Sequence, residues 1–392
     1  MKNEMIEKAD QVIASTYSRI PLVITKGKGC TLWDSEGRAY TDFFAGIAVC
    51  NLGHSHPRIA QIICAQAQTL LHVSNLYYTI PQIELASFLV DHSFADKVFF
   101  CNSGAEANEA AIKLARKYYY DKGVTGRYRI ISMEKSFHGR TLGTLSATGQ
   151  DKIKIGFAPV LEGFDFVPYN DIEALRSKVD ASVCAVMMEP VQGEGGVRCP
   201  DHEYVKAVRQ LCDETDTLLV FDEIQTGVGR TGKLFAYEHY GVEPDIMTLA
   251  KALANGLPMG AMLATDRVAR TFGPGAHAST FGGTPIVASA AREVFRILEE
   301  EHILDHCRET GAYFKQRLQW LKERHESVVA VRGLGLLLGM ELNMEGAPVV
   351  NACREKGLLV NCVQGNVLRF APPLIIKKED IDVLIAALDE LL

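Results

Sequence analysis

Two apolar runs in this chain each end on a residue able to do chemistry. Leu218-Leu219-Val220-Phe221 stops at the carboxylates Asp222 and Glu223, and Ile246-Met247-Thr248-Leu249-Ala250 stops at Lys251 and a glycine-bearing turn. Runs this short, apolar and bounded by turns suit buried strands of a parallel sheet. Ligands of open α/β sheets bind at the carboxyl ends of the strands. A lysine placed there among small and apolar neighbours loses basicity by desolvation and becomes an amine nucleophile, fit to form a Schiff base. A carboxylate beside it is fit to hold a charged ring nitrogen. The plain alternative is a surface lysine and an ordinary strand-end aspartate, and these two residues alone favour it.

Other apolar runs repeat the pattern. Val98-Phe99-Phe100-Cys101 precedes Asn102-Ser103-Gly104-Ala105-Glu106, which opens an Ala- and Lys-rich helix. Ser103 and Glu106 fit a capping box. Equally, the Ser103 hydroxyl and the amides of Gly104 and Ala105 could receive a phosphate at the helix N-terminus. Arg129–Met133 leads to Ser136-Phe137-His138-Gly139-Arg140, where Phe137 could stack on a ring and Arg140 could fork onto a carboxylate. Cys184–Met188 ends on Glu189, followed by a glycine-bearing loop that carries Glu194. One such coincidence is cheap, but its repetition raises the functional reading.

These residues need a scaffold. Strand and helix patterns alternate from 98 to 250, which predicts an α/β fold with a largely parallel sheet. Before it, Thr31–Asp34 and Ala39–Phe43 flank a Ser-Glu-Gly-Arg turn as an antiparallel hairpin, and residues 58–95 read as amphipathic helix. A long amphipathic helix is expected from about 285 to 300, then a smaller α/β unit to the C-terminus. The expected organisation is an N-terminal segment 1–50, a large domain 51–285 and a C-terminal part 286–392, with both termini contributing to the small domain. The 392 residues are 47% hydrophobic and 23% charged, enough for two globular domains. A net charge of -7 gives no reason to expect nucleic acid or an anionic membrane as partner. No apolar run reaches the ~20 residues of a membrane span. The ten cysteines show no C-x-x-C pair and read as reduced thiols of a cytoplasmic protein.

Three motifs point elsewhere. His54-Ser55-His56 could be a metal pair, but no further ligand stands at useful spacing, so no metal is expected. Gly227–Gly232 matches G-x-G-x-x-G, and Gly227–Lys233 spells G-x-x-x-x-G-K. The first stands too far beyond its strand for a tight turn. The second has Leu234 where a hydroxyl must meet Mg²⁺.

The segments FFCNSGAEANEAAIKLAR, SFHGRT, MMEPVQGEGG, LLVFDEIQTGVGRTG, TLAKALANGLPMG and HASTFGGTP, in this order, resemble the class III aminotransferases. The likeness runs from TLWDSEGRAYTDFF to VLRFAPPL. It implies the fold type I architecture, pyridoxal 5'-phosphate as cofactor, and a homodimer. By this resemblance Lys251 holds the cofactor, Asp222 meets the pyridine nitrogen and Gln225 stands near the ring hydroxyl. Phe137 stacks on the ring, with His138 beside it, and Ser103, Gly104 and Ala105 hold the phosphate. Thr280 adds a phosphate contact across the dimer interface.

The same resemblance makes Arg140, Glu194, Arg369 and Ser279 the substrate contacts. Arg140 takes the donor carboxylate, Arg369 a carboxylate of 2-oxoglutarate, and Glu194 pairs with Arg369 while the donor is bound. Where Ala278 stands, a glycine is common. FAGIAV and LGHSHP resemble the members that use N2-acetylornithine as donor; ornithine, succinylornithine, succinyldiaminopimelate and 4-aminobutyrate remain alternatives.

Overall fold

The computed structural model describes residues 2–392. Its strands fall into three sheets. The first joins β1 (Ile24–Lys28), β2 (Thr31–Asp34) and β3 (Ala39–Asp42) as an antiparallel meander. The hairpin expected from the Ser35–Arg38 turn is the β2–β3 pair. The turn is fixed by Asp34, whose Oδ1 accepts from the backbone of Glu36 and Arg38 at 2.9 Å each.

The large sheet holds β4 (Lys97–Cys101), β5 (Arg129–Met133), β6 (Phe164–Val167), β7 (Val183–Met188), β8 (Leu218–Asp222), β9 (Ile246–Leu249) and β10 (Gly260–Ala264), in the order β4-β10-β9-β8-β7-β5-β6. The pairs β5–β6, β5–β7, β7–β8 and β8–β9 are parallel. Only β10 runs against its neighbours β9 and β4, which makes the sheet mixed. Strands β7 to β10 are buried along their whole length, as helix-covered strands must be. The helix Gly104–Asp121 lies across β9 and β10 and buries an alanine-rich face with Ile112, Leu114, Tyr118 and Tyr119.

The third sheet joins β11 (Val328–Leu334), β12 (Leu337–Leu342), β14 (Asn361–Val363) and β15 (Val367–Phe370) in the order β11-β12-β15-β14. The short strand β13 (Leu358–Leu359) leaves it and pairs in parallel with β3. N- and C-terminal segments are thereby hydrogen-bonded to each other. The helix Pro285–Glu300 begins and ends where its periodicity predicts, and packs on Pro57–Thr69 and Ile80–Asp91.

Residues 58–95 do not form one helix. Leu70 turns extended (φ -164°, ψ 121°), and a second helix begins at Ile80 with a proline in its first turn. Proline fits the first turn of a helix, where its missing N–H leaves no intrahelical bond unmade, and Thr79 before the turn is extended. The hydrophobic pattern on both sides of this break made it look continuous.

Candidate functional site

Six strands run the same way, and five of them, β4, β5, β7, β8 and β9, deliver site residues from their carboxyl ends to one edge of the large sheet. Asp222 is the last residue of β8, Glu189 follows β7 directly, and Lys251 stands two residues beyond β9. Ser103 stands two residues beyond β4, and Phe137-His138 follow β5. These residues line one cavity of about 460 Å³, together with Gly104, Ala105, Arg140, Glu194 and Gln225.

The floor of the cavity is cross-linked. Asp222 Oδ2 accepts from His138 Nδ1 at 2.7 Å and from Asn108 Nδ2 at 2.7 Å, and Oδ1 accepts from the Ile224 amide at 3.0 Å. A carboxylate can only accept, so His138 carries its proton on Nδ1. Asn108 also donates to the His138 carbonyl at 2.8 Å and accepts from Thr248 Oγ1 at 2.7 Å. The aspartate is thus aimed by three elements at once.

Among the described residues the Lys251 side chain has no hydrogen-bond or ion-pair partner. Its backbone has φ +46°, a left-handed geometry uncommon for a residue with a Cβ. Strain of this kind gathers at functional positions. Burial holds its amine below the ordinary lysine range; Arg369 pushes the same way, while Glu194, Asp222 and Glu189 oppose it.

Ser103 caps the helix Gly104–Asp121, its hydroxyl accepting from the Glu106 amide at 3.2 Å. The Glu106 carboxylate accepts not from the Ser103 amide but from that of Asn102, at 2.8 Å. The Gly104 and Ala105 amides, which have no intrahelical partner, border the cavity. A Cβ at Gly104 would fall 2.8 Å from Ile224 Cδ1, so glycine lets the helix end come close to β8's exit. Capping and an open amide pair coexist here, because the cap uses later amides of the turn.

The mouth is built differently. Arg369, 2% exposed on β15, donates from Nη1 to Glu194 Oε1 at 2.5 Å and to Gln225 Oε1 at 3.2 Å. It therefore stands directly behind Glu194. The guanidinium holds the Glu194 carboxyl below the usual carboxylate range against the opposing effect of burial. Gln225 reaches this position past Gly193, where a Cβ would lie 2.0 Å from Gln225 Oε1. Arg140 is exposed, with its guanidinium 5.6 Å over the Phe137 ring.

Three of the sequence candidates do not line this cavity: Arg369, which lies behind Glu194, and Thr280 and Ser279. Thr280 and Ser279 line a separate cavity with Ser74, Asn75 and Leu76, and the Ser279 hydroxyl accepts from Asn102 Nδ2 at 3.1 Å. His54 bonds Asp42 Oδ2 at 2.7 Å, which holds its imidazole pKa up at about 9. The glycines 227–232 open no α-helix; only a short 3-10 helix, Ala236–His239, follows them. They wrap Arg230, which is wholly buried and donates to the Leu336 and Pro372 carbonyls.

A family model described as aminotransferase class-III matches residues 12–392. The chain belongs to the class III aminotransferases. It is 53% identical to an acetylornithine aminotransferase of Caldanaerobacter subterraneus subsp. tengcongensis, with 99% of each chain covered. Identity is also 53% to an acetylornithine aminotransferase of Methanocaldococcus jannaschii, over 95% of this chain and 94% of that one. Among solved structures, the ornithine aminotransferase of Toxoplasma gondii ME49 superposes with a TM-score of 0.96 at 33% identity, covering 100% of this chain and 94% of its own. The protein is a transaminase, and class III aminotransferases use pyridoxal phosphate.

Sequence reasoning about this aminotransferase passed over three residues near the site. Glu189 was visible as a strand-end carboxylate but carried no role; it is buried, accepts from the Phe137 amide at 3.2 Å, and burial with the nearby Asp222 pushes its carboxyl well above the usual range. Asn108 left one signal, a polar residue on the alanine face of its helix. Asn361 left none, since only the register of β14 on β15 sets it opposite Arg369.

Proposed function

We propose that this aminotransferase moves the δ-amino group of N2-acetylornithine to 2-oxoglutarate, giving N-acetylglutamate 5-semialdehyde and glutamate, as a cytoplasmic step of arginine biosynthesis. The observation that carries the reading is the Glu194–Arg369 ion pair, 2.5 Å long, at the mouth of a cavity floored by Lys251 and Asp222. One site must take a donor with an uncharged distal arm and an acceptor with two carboxylates. An arginine fixed in a buried wall suits the second, and leaving it unpaired with the first would cost about 3–5 kcal/mol. A glutamate that can turn away resolves the conflict.

The cavity suits pyridoxal phosphate. Its two free amides and the Ser103 hydroxyl at a helix N-terminus form an anion cradle that a Cβ at Gly104 would crowd. Phe137 would offer a ring face, Asp222, held by His138 and Asn108, would meet the ring nitrogen, and Gln225 would serve the ring hydroxyl. Pyridoxal phosphate supplies an aldehyde and a protonated ring that takes up the electrons when a proton leaves the substrate carbon. Lys251 Nζ holds the cofactor between turnovers and then moves the proton from the substrate δ-carbon, for which its depressed basicity fits it. Arg140 receives the donor carboxylate.

Thr280 then serves the phosphate site of the neighbouring subunit of a homodimer, with the substrate contact Ser279 beside it. Supporting this, they sit among exposed apolar side chains, Leu76 at 85%, Tyr77 at 69% and the adjoining Phe281 at 60%, which a second copy of the chain would cover. The ten cysteines, all free, fit a reducing compartment. The division into a cofactor-holding body, 51–285, and a small body made from 1–50 and 286–392 belongs to the same reading.

A single-turnover panel of acetylornithine, ornithine, succinylornithine and 4-aminobutyrate tests the substrate. Acetylornithine is expected to give the highest rate constant per unit concentration. A higher value for ornithine would reassign the donor and leave the transaminase intact.

A further inference from the structure

The guanidinium of Arg369 is held from two sides, and only one of them is charged. Toward the cavity, Nη1 meets Glu194 and Gln225. On the opposite edge, Nε and Nη2 both donate to one atom, Asn361 Oδ1, at 3.1 and 2.8 Å. The pairing of β14 with β15 puts Asn361 and Arg369 directly opposite each other in register, so the amide is part of the sheet and does not depend on the loop that carries Glu194. The Phe44 ring lies 5.6 Å from the guanidinium carbon and adds a third neutral contact.

The other partner of the ion pair is mounted for movement. Glu194 lies between Gly193 and Gly195, and its side chain is 28% exposed against 2% for Arg369. Its backbone is nevertheless fastened: Gln364 Nε2 donates to the Glu194 carbonyl at 2.7 Å, and Gln192 and Arg198 exchange backbone hydrogen bonds across the base of the loop at 2.9 and 3.0 Å. A rotation of the Glu194 side chain alone can therefore break the pair.

We propose that Asn361 is the positioning residue that keeps Arg369 in place when Glu194 leaves. The proposal rests on the reading of Arg369 as the acceptor-carboxylate site. An arginine held only by a mobile carboxylate would follow it or rotate toward solvent. A neutral acceptor bridging Nε and Nη2 fixes the plane of the fork and leaves Nη1 aimed at the cavity. An amide does this without satisfying the charge, so the positive charge stays available to an incoming carboxylate. An aspartate at the same place would hold the arginine equally well and neutralise it.

The test uses the holoenzyme and follows the two half-reactions separately. In Asn361→Ala the fork loses its anchor, and the KM for 2-oxoglutarate is expected to rise about tenfold while the acetylornithine half-reaction stays within about twofold. In Asn361→Asp the KM for 2-oxoglutarate is expected to rise at least as much, because Arg369 then carries a permanent partner. Introducing Asn361→Asp into Glu194→Gln should restore part of the donor half-reaction that Glu194→Gln loses, an effect no loss of scaffolding would produce. Equal slowing of both half-reactions in the Asn361 variants, or an unchanged KM for 2-oxoglutarate while Arg369→Lys raises it, overturns the proposal and leaves the role of Arg369 standing. An Arg369→Lys enzyme with unchanged 2-oxoglutarate kinetics overturns that underlying reading, and the proposal with it.

Discussion

The floor and the mouth of the cavity hold their charges in opposite ways. At the floor, Asp222 is 3% exposed and fixed by His138, Asn108 and a backbone amide, and Asn108 is itself tied to Thr248 on the next strand. At the mouth, a buried arginine from a different sheet meets a glutamate on a glycine-flanked loop. On the proposed reading the floor performs the same electronic task with every substrate, so freedom there would only cost rate. On the same reading the mouth must present two different faces to two substrates, so one of its charges has to be removable. Preorganisation and adaptability are thus assigned to different parts of one site, and Gln225 belongs to the mouth, bonded to Arg369.

Three experiments break or sharpen this contrast. The largest effect belongs to the floor. Lys251→Ala should lose the yellow colour of the cofactor-loaded protein and slow turnover by about 10³-fold or more. Retained colour with ordinary turnover would remove Lys251 from the chemistry. A smaller, one-sided effect belongs to the mouth. Glu194→Gln should slow the acetylornithine half-reaction about tenfold and leave the 2-oxoglutarate half-reaction nearly unchanged. Equal effects on both would make the mouth as rigid as the floor.

The smallest effect concerns stability. Burial raises the Glu189 carboxyl well above its ordinary value of 4.5, so the folded protein favours the protonated form. The stability this group contributes is full below about 4.5 and is lost as the pH rises from there toward the raised folded value. Glu189→Gln mimics the protonated acid. Its thermal midpoint should match that of the parent near pH 4.5 and exceed it increasingly in mildly alkaline buffer, as thermal unfolding at a series of pH values would record. Parallel curves would show that Glu189 is ionised at the floor and paired by something other than the Phe137 amide.

The large sheet was readable because its strands are short apolar runs that end on polar residues, a pattern set by burial on both faces. Lys251, Asp222 and Ser103 were readable for the same reason, since a strand end is where such a sheet exposes its residues. The antiparallel course of β10 was not, because strand direction leaves no trace in hydropathy. The break between the helices at 57–69 and 80–91 was marked by Pro81 but hidden by apolar residues on both sides of it.

What the sequence determined by itself is the set of chemical groups: a strand-end lysine and aspartate, a helix start able to meet an anion, and the ordered motifs that place the chain in its family. These depend on residues close together in the chain, where local geometry and burial pattern suffice. Only the tertiary structure decided which groups share one cavity and which face away from it. Glu194 and Arg369 meet across 175 positions, Asn108 reaches Asp222 across 114, and Thr280 is turned to another surface. Such meetings follow from sheet order and register, which the packing of the whole chain fixes at once, and no local stretch carries that information.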